Sequence, residues 1–122
     1  MSEATLYERL GGEEKIRAIV TDAVALHHKN PAIKTRFDNA QKSDAELVDL
    51  LTDLVCFGTG GPQEYKGMSM PDAHKGMNIS EAEFVAVLDD ILEALTSHEI
   101  GEREKAELLA LAYSMKNDVV HL

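Results

Sequence analysis

Between Gly58 and Ile79 the chain runs for about twenty residues without a helical or alternating pattern of apolar side chains. The core of this connection is GGPQEYKGMSMPDAHKGMNIS, Gly60 to Ser80. It holds two of the chain's 3 prolines, a cluster of methionines and glycines, and one histidine, His74. A structureless connection of this length is uncommon inside a compact domain unless it serves a purpose. A simple bundle, whose helices are joined by short loops, does not need it.

On both sides of the connection the pattern is helical. Ile16, Ile19, Val20, Ala23, Val24 and His27 form one stripe, which must stop before Pro31 because the residue preceding proline avoids the α region. Leu47, Leu50, Leu51, Leu54 and Val55 form a second stripe, with Ser43 or Asp44 available as its N-cap. Ser80 and Glu83 have the spacing of a capping box, with Ile79 placed to staple onto Phe84. Phe84, Val87, Leu88, Ile91, Leu92 and Leu95 are the expected buried face of that third helix. A fourth is expected from about Glu102 to Val120, with Leu108, Leu111, Ala112, Met115 and Val119 inward. A short helix from Leu6 to Leu10 precedes Gly11-Gly12. No period-2 run of β-branched residues occurs, so the expected fold class is all-α, with one domain over residues 1–122.

Composition narrows the partners. The formal net charge is −10, which repels phosphate backbones and argues against nucleic acid and anionic membranes. The single cysteine, Cys56, excludes an internal disulfide and a cysteine-built zinc or iron–sulfur site. It reads as a small buried filler on the second long helix. The opening MSEATLYERL lacks a basic region followed by an apolar run, so no leader peptide is expected and the default location is cytoplasmic.

Met70 and Met77 lie four before and three after His74, so a short helix there would place all three on one face. Methionine fills irregular apolar space. Two readings of that histidine stand at this point. One is a hydrogen-bonded core residue. The other is a lone axial ligand in an apolar slot, which suits haem. No second histidine or carboxylate pair nearby favours zinc or non-haem iron.

LYERLGG at Leu6 to Gly12, GGPQEYKG at Gly60 to Gly67, and MPDAHKGMNIS running into the helix with Phe84 together resemble the truncated haemoglobins, group I most of all. The resemblance covers Leu6 to about Val120. It implies two antiparallel helix pairs, two over two, around haem b, with His74 as the proximal iron ligand. It places Tyr65, Met70, Met77, Ile79, Phe84 and Val87 at haem-contact positions, and Phe37 as the phenylalanine wedged against the ring. Lys66 and Lys75 are candidates for the propionates, with solvated surface lysines as the alternative. Some relatives attach haem covalently through a histidine in the last helix; Met115 stands at about that place here, so covalent attachment is not expected.

The distal side departs from the family pattern. Where many members carry a tyrosine in the second helix, the matching position is Val24. The pocket-facing candidates on the distal helix are Leu47, Leu50 and Leu51, none of which donates a hydrogen bond. His27 and His28 follow Val24 by three and four residues. Either one of them turns into the distal pocket, as a donor or a sixth ligand, or both serve as favourable cations at a helix C-terminus. His98 and His121 are expected in solvent. The function implied is binding of a diatomic gas, oxygen with nitric oxide or carbon monoxide as alternatives. The resemblance also allows oxygen transport, and redox chemistry on the gas such as nitric oxide dioxygenation or a peroxidase-like side activity. That chemistry would need an external electron donor, since no reductase domain is present. A monomer is expected. The competing reading is a cofactor-free acidic helical interaction module, which leaves the methionine-lined connection unexplained.

Overall fold

The computed structural model describes residues 4–122. The reading of MSEATLYERL rests partly on Met1 to Glu3, which lie outside the described residues. Seven α-helices follow in order: α1 (Leu6–Leu10), α2 (Gly12–Lys29), α3 (Lys34–Asp38), α4 (Asp44–Gly58), α5 (Met70–His74), α6 (Glu81–Ser97) and α7 (Glu102–Tyr113). A 3₁₀ turn at Lys116–Asp118 comes after them. Among the described residues there is no strand, only an isolated parallel bridge between Ile79 and Val120. No helix is long and apolar enough to cross a membrane.

α2 is the central element, and its predicted stripe is borne out residue by residue. Ile16, Ile19, Val20, Ala23, Val24 and His27 are all buried. The helix ends at Lys29, where the N–H of Asn30 donates to the His27 carbonyl, ahead of Pro31. It packs on α4 along one side and on α6 along another, while α6 also packs on α7. These pairs make the two-over-two arrangement. Leu10, Cys56, Ala94 and Leu95 close the main core around α2. Burying one such side chain contributes about 1.5–3 kcal/mol, so α2 carries much of the drive to fold.

The helix starts follow local chemistry. The Ser43 hydroxyl accepts from the Glu46 N–H at the start of α4. Ser80 and Glu83 form the expected capping box at the start of α6. The α4 exit is tied by the Gly61 N–H donating to the Cys56 carbonyl at 2.8 Å, and the Tyr7 N–H donating to the Thr59 carbonyl at 2.9 Å.

Several expectations need correction. The last helix stops at Tyr113 rather than near Val120, and the chain then tightens into the 3₁₀ turn. This lets Val119 reach a second core with Ile79 and Phe84, while Leu111 stays exposed. The buried face of α6 is rotated from the leucine stripe: Phe84, Ala86, Asp90, Ala94 and Leu95 are buried, and Leu92 is exposed. Ala86, Asp90 and Ala94 recur every fourth residue, and the small side chains among them let α2 approach α6 closely. The buried positions of α4 are likewise Thr52 and Cys56 rather than its leucines. Finally, His98 is partly covered, with its Nε2 2.6 Å from the Asp22 carboxylate, whereas His121 is exposed as expected.

Leu95 is 0 % exposed. Leu95→Ala should lower the unfolding free energy by about 2–5 kcal/mol through lost burial and the cavity left behind, read as a lower urea midpoint. His27 supplies a pH-dependent term. Its Nδ1 lies 2.8 Å from Asp90, yet burial outweighs that pairing and pushes the imidazole below its ordinary value of 6.5. The unfolded chain therefore takes up the proton first as the pH falls. The stability due to a neutral buried His27 is fully present above the unfolded pKa of 6.5 and is lost as the pH drops through the lower folded value. A ring titration followed by NMR should give His27 a midpoint under 6.5; a midpoint above it would mean that Asp90 dominates.

Candidate functional site

The long connection does hold a helix. Ser69 caps α5, its hydroxyl accepting from the Asp72 N–H, and Pro71 occupies the first turn, where a missing N–H costs nothing. His74 is the last residue of α5. Its Nδ1 lies 2.8 Å from the Met70 carbonyl oxygen. A carbonyl can only accept, so Nδ1 carries the proton and Nε2 keeps its lone pair. The ring is half-buried. A backbone carbonyl that fixes the tautomer and orientation of an imidazole is the usual support of a metal-ligating histidine.

After His74 the chain turns at once. Lys75 has φ −58° and ψ 128°, Gly76 has φ 83°, and the Met77 N–H returns to the His74 carbonyl at 3.1 Å. These are the angles of a type II turn, whose third position requires a positive φ and so favours glycine. The turn breaks the helical relation expected between His74 and Met77. Met77 is 37 % exposed and borders a surface recess with Arg36 and Glu83. Met70, by contrast, packs on the second core with Ile79 and Phe84. The chain end pins this segment, because the Asn78 N–H donates to the Leu122 carbonyl at 2.9 Å and the His121 N–H to the Ile79 carbonyl at 2.8 Å.

α4 and α6 carry further apolar side chains. Leu47, Leu50, Leu51 and Leu54 are all only partly covered, as are Val87, Leu88 and Ile91 on α6. Tyr65 approaches from the connection, its hydroxyl donating to the Met68 carbonyl at 2.7 Å. At Gly67 a side chain would stand 2.7 Å from Leu50 Cδ1 and would also meet the Tyr65 ring. Tyr65 and Leu50 therefore converge on one point that only glycine leaves open. Two separate cores, with half-covered apolar stripes on α4 and α6 and one imidazole nitrogen free, fit a flat apolar macrocycle that needs a single axial ligand. Among the described residues, no group of three or more His, Cys, Asp or Glu could hold a metal ion by itself. Lys66 and Lys75 are exposed.

The remaining candidates lie on α2 and α3. Val24 is 3 % exposed, inside the main core. Phe37 is half-buried on α3 and packs on His27, with ring centroids 4.5 Å apart. His27 is neither a surface helix end nor an unattached ring, because Asp90 holds its Nδ1 and Asn30 Nδ2 donates to the same carboxylate at 3.2 Å. His28 engages both its nitrogens at the surface, with Nδ1 2.6 Å from Asp38 and Nε2 2.8 Å from Asp44. It leaves no nitrogen for a pocket. Asp90 and Asn30 escaped the sequence reading. Asp90 lies between the apolar residues of α6, and only the approach of α2 buries it. Cys56 is fully buried, and burial pushes its thiol to about 11, so it is no nucleophile.

A sequence profile for bacterial-like globins matches residues 5–121. A group 1 truncated haemoglobin of Tetrahymena pyriformis is 37 % identical over 103 residues, 80 % of this chain and 77 % of that protein. One from Tetrahymena thermophila is 34 % identical over 105 residues, 81 % of this chain and 78 % of its own length. The crystal structure of the T. pyriformis protein in its Fe(III) form superposes with a TM-score of 0.92 at 27 % identity, covering 98 % of this chain and 100 % of that one. The two-over-two haemoglobin of a Synechococcus species, in the cyanomet state with covalently attached haem, superposes with a TM-score of 0.88 at 21 % identity. That superposition covers 96 % of this chain and 98 % of the other, and is a likeness of fold. The profile match across nearly the whole chain and the identity to the Tetrahymena proteins place this chain in the bacterial-like globin family, among its group 1 truncated haemoglobins.

Proposed function

We propose that the protein binds haem b without a covalent link, with His74 Nε2 as the proximal ligand, and takes a diatomic gas, oxygen foremost, on the α4 side. The observation that carries this reading is the hydrogen bond from His74 Nδ1 to the Met70 carbonyl. It fixes the tautomer and orientation of the ring and leaves the lone pair of Nε2 available. Haem supplies an iron coordination position at which a small gas binds.

The chain supplies the environment. Phe37, Leu47, Leu51, Tyr65, Met70, Ile79, Phe84 and Val87 offer apolar surface to the macrocycle, with Met77 at its exposed margin. Together they would shield the macrocycle from water. Leu47, Leu50 and Leu51 line the distal side without a hydrogen-bond donor, with Val24 behind them in the main core. Met115, where some relatives carry a histidine, supports non-covalent attachment. The acidic surface supports a monomeric cytoplasmic protein, with ferric iron reduced by an external electron donor.

His74→Ala should lose most of its haem on purification, shown by a Soret absorbance per chain well below that of the parent, and added imidazole should restore it in part. A normal spectrum without imidazole would overturn the assignment. A donor introduced into the apolar distal side should act on bound oxygen. A hydrogen bond to a charged acceptor contributes about 1.5–3 kcal/mol, so Leu51→Gln should slow oxygen dissociation by roughly tenfold or more. Carbon monoxide dissociation, with less charge on the ligand, should change much less. Stopped-flow displacement measures both, and an unchanged oxygen rate would mean that Leu51 does not face the gas.

A further inference from the structure

The His28 side chain joins three elements. It lies in the last turn of α2, Asp38 ends α3, and Asp44 begins α4. Its Nδ1 is 2.6 Å from Asp38 and its Nε2 2.8 Å from Asp44. Carboxylates accept and do not donate, so only the imidazolium, with an N–H on each nitrogen, satisfies both. Phe37, next to Asp38, lies edge-on to the His28 ring at 6.2 Å.

We propose that His28 is a pH-responsive positioning residue: as the imidazolium it clasps the start of the distal helix α4 to the corner that carries Phe37, and as the neutral ring it lets α4 go. The inference rests on the haem reading for its functional consequence, because α4 and Phe37 are the walls of that site. The other charged or titratable groups that face His28 are few. From α3, Asp38 accepts from the ring and also from Lys34 Nζ at 2.5 Å. From α4 there is Asp44. On α2 itself there is His27, whose charge would repel a second cation.

Loss of the proton removes one N–H and sets a lone pair against a carboxylate. Asp38 keeps Lys34, and the Asp38 contact is the stronger of the two on His28. Asp44 has no other cation among the described residues, and its position in the first turn of α4 already suits a negative charge. The α4 contact is therefore the one released. Both carboxylates lift the imidazole above its ordinary 6.5, so the clasp is closed below that pH and opens as the pH rises through the higher folded value. His27 moves in the opposite direction, so the two titrations separate.

The test follows carbon monoxide association with the ferrous holoprotein from pH 5.5 to 9, in the parent, His28→Gln and Asp44→Asn. The parent should show a step of about two- to fivefold, the scale of a partly exposed ion pair, with its midpoint above 6.5. Both variants should be flat. A step that persists in both variants, or none in the parent, overturns the proposal. The same chains are read by NMR with or without haem. Amides of Asp44 to Leu47 should shift with the His28 midpoint in the parent and not in His28→Gln, and their failure to shift also overturns it. If the chain binds no haem, the haem reading fails while the NMR titration still decides the clasp.

Discussion

The buried face of α2 is the constraint on which the rest of the structure depends. One helix packs on α4 and on α6, and its inward residues hold the main core together. Because α2 takes the centre, the apolar stripes of α4 and α6 are not spent on each other. Their leucines stay partly covered, and a second, smaller core forms at the start of α6. Part of each face packs on the main core, and the rest stays partly covered.

The proximal side is built mostly from backbone. A serine cap, a first-turn proline and a glycine turn confine α5 to a single turn of helix that ends on His74. The Met70 carbonyl then sets the tautomer of the ring. The chain end, returning beside Asn78 and Ile79, holds the piece in place. Positioning by main-chain hydrogen bonds is insensitive to side-chain identity.

His27 and His28 are neighbours with opposite fates. His27 turns inward beside Asp90 and Phe37, where burial favours the neutral ring. His28 turns outward between two carboxylates, where the charge is favoured. One residue of rotation about the helix decides between desolvation and pairing. Arg36 pairs with the Glu83 carboxylate at the start of α6 and holds that carboxyl below its usual range. Polar ties thus surround the corner that carries Phe37.

The sequence by itself determined the helical class, the α2 stripe and the capping box at Ser80. Each of these rests on local rules: periodicity, side-chain capping of free N–H groups, and the demands that proline and glycine make on the backbone. Family resemblance proposed the site, with the leucines of α4, partly covered in the structure, as its apolar wall. Only the tertiary structure decided what depends on neighbours distant in the chain. The rotation of α6 follows from how closely small side chains let α2 approach. The burial of Asp90 follows from that approach, and the exposure of Met77 from a turn that cuts its helix short. His28 became a clasp because Asp38 and Asp44, on two other helices, reach it from both sides. Periodicity reads which face of a helix is apolar, but it does not say what will stand against that face.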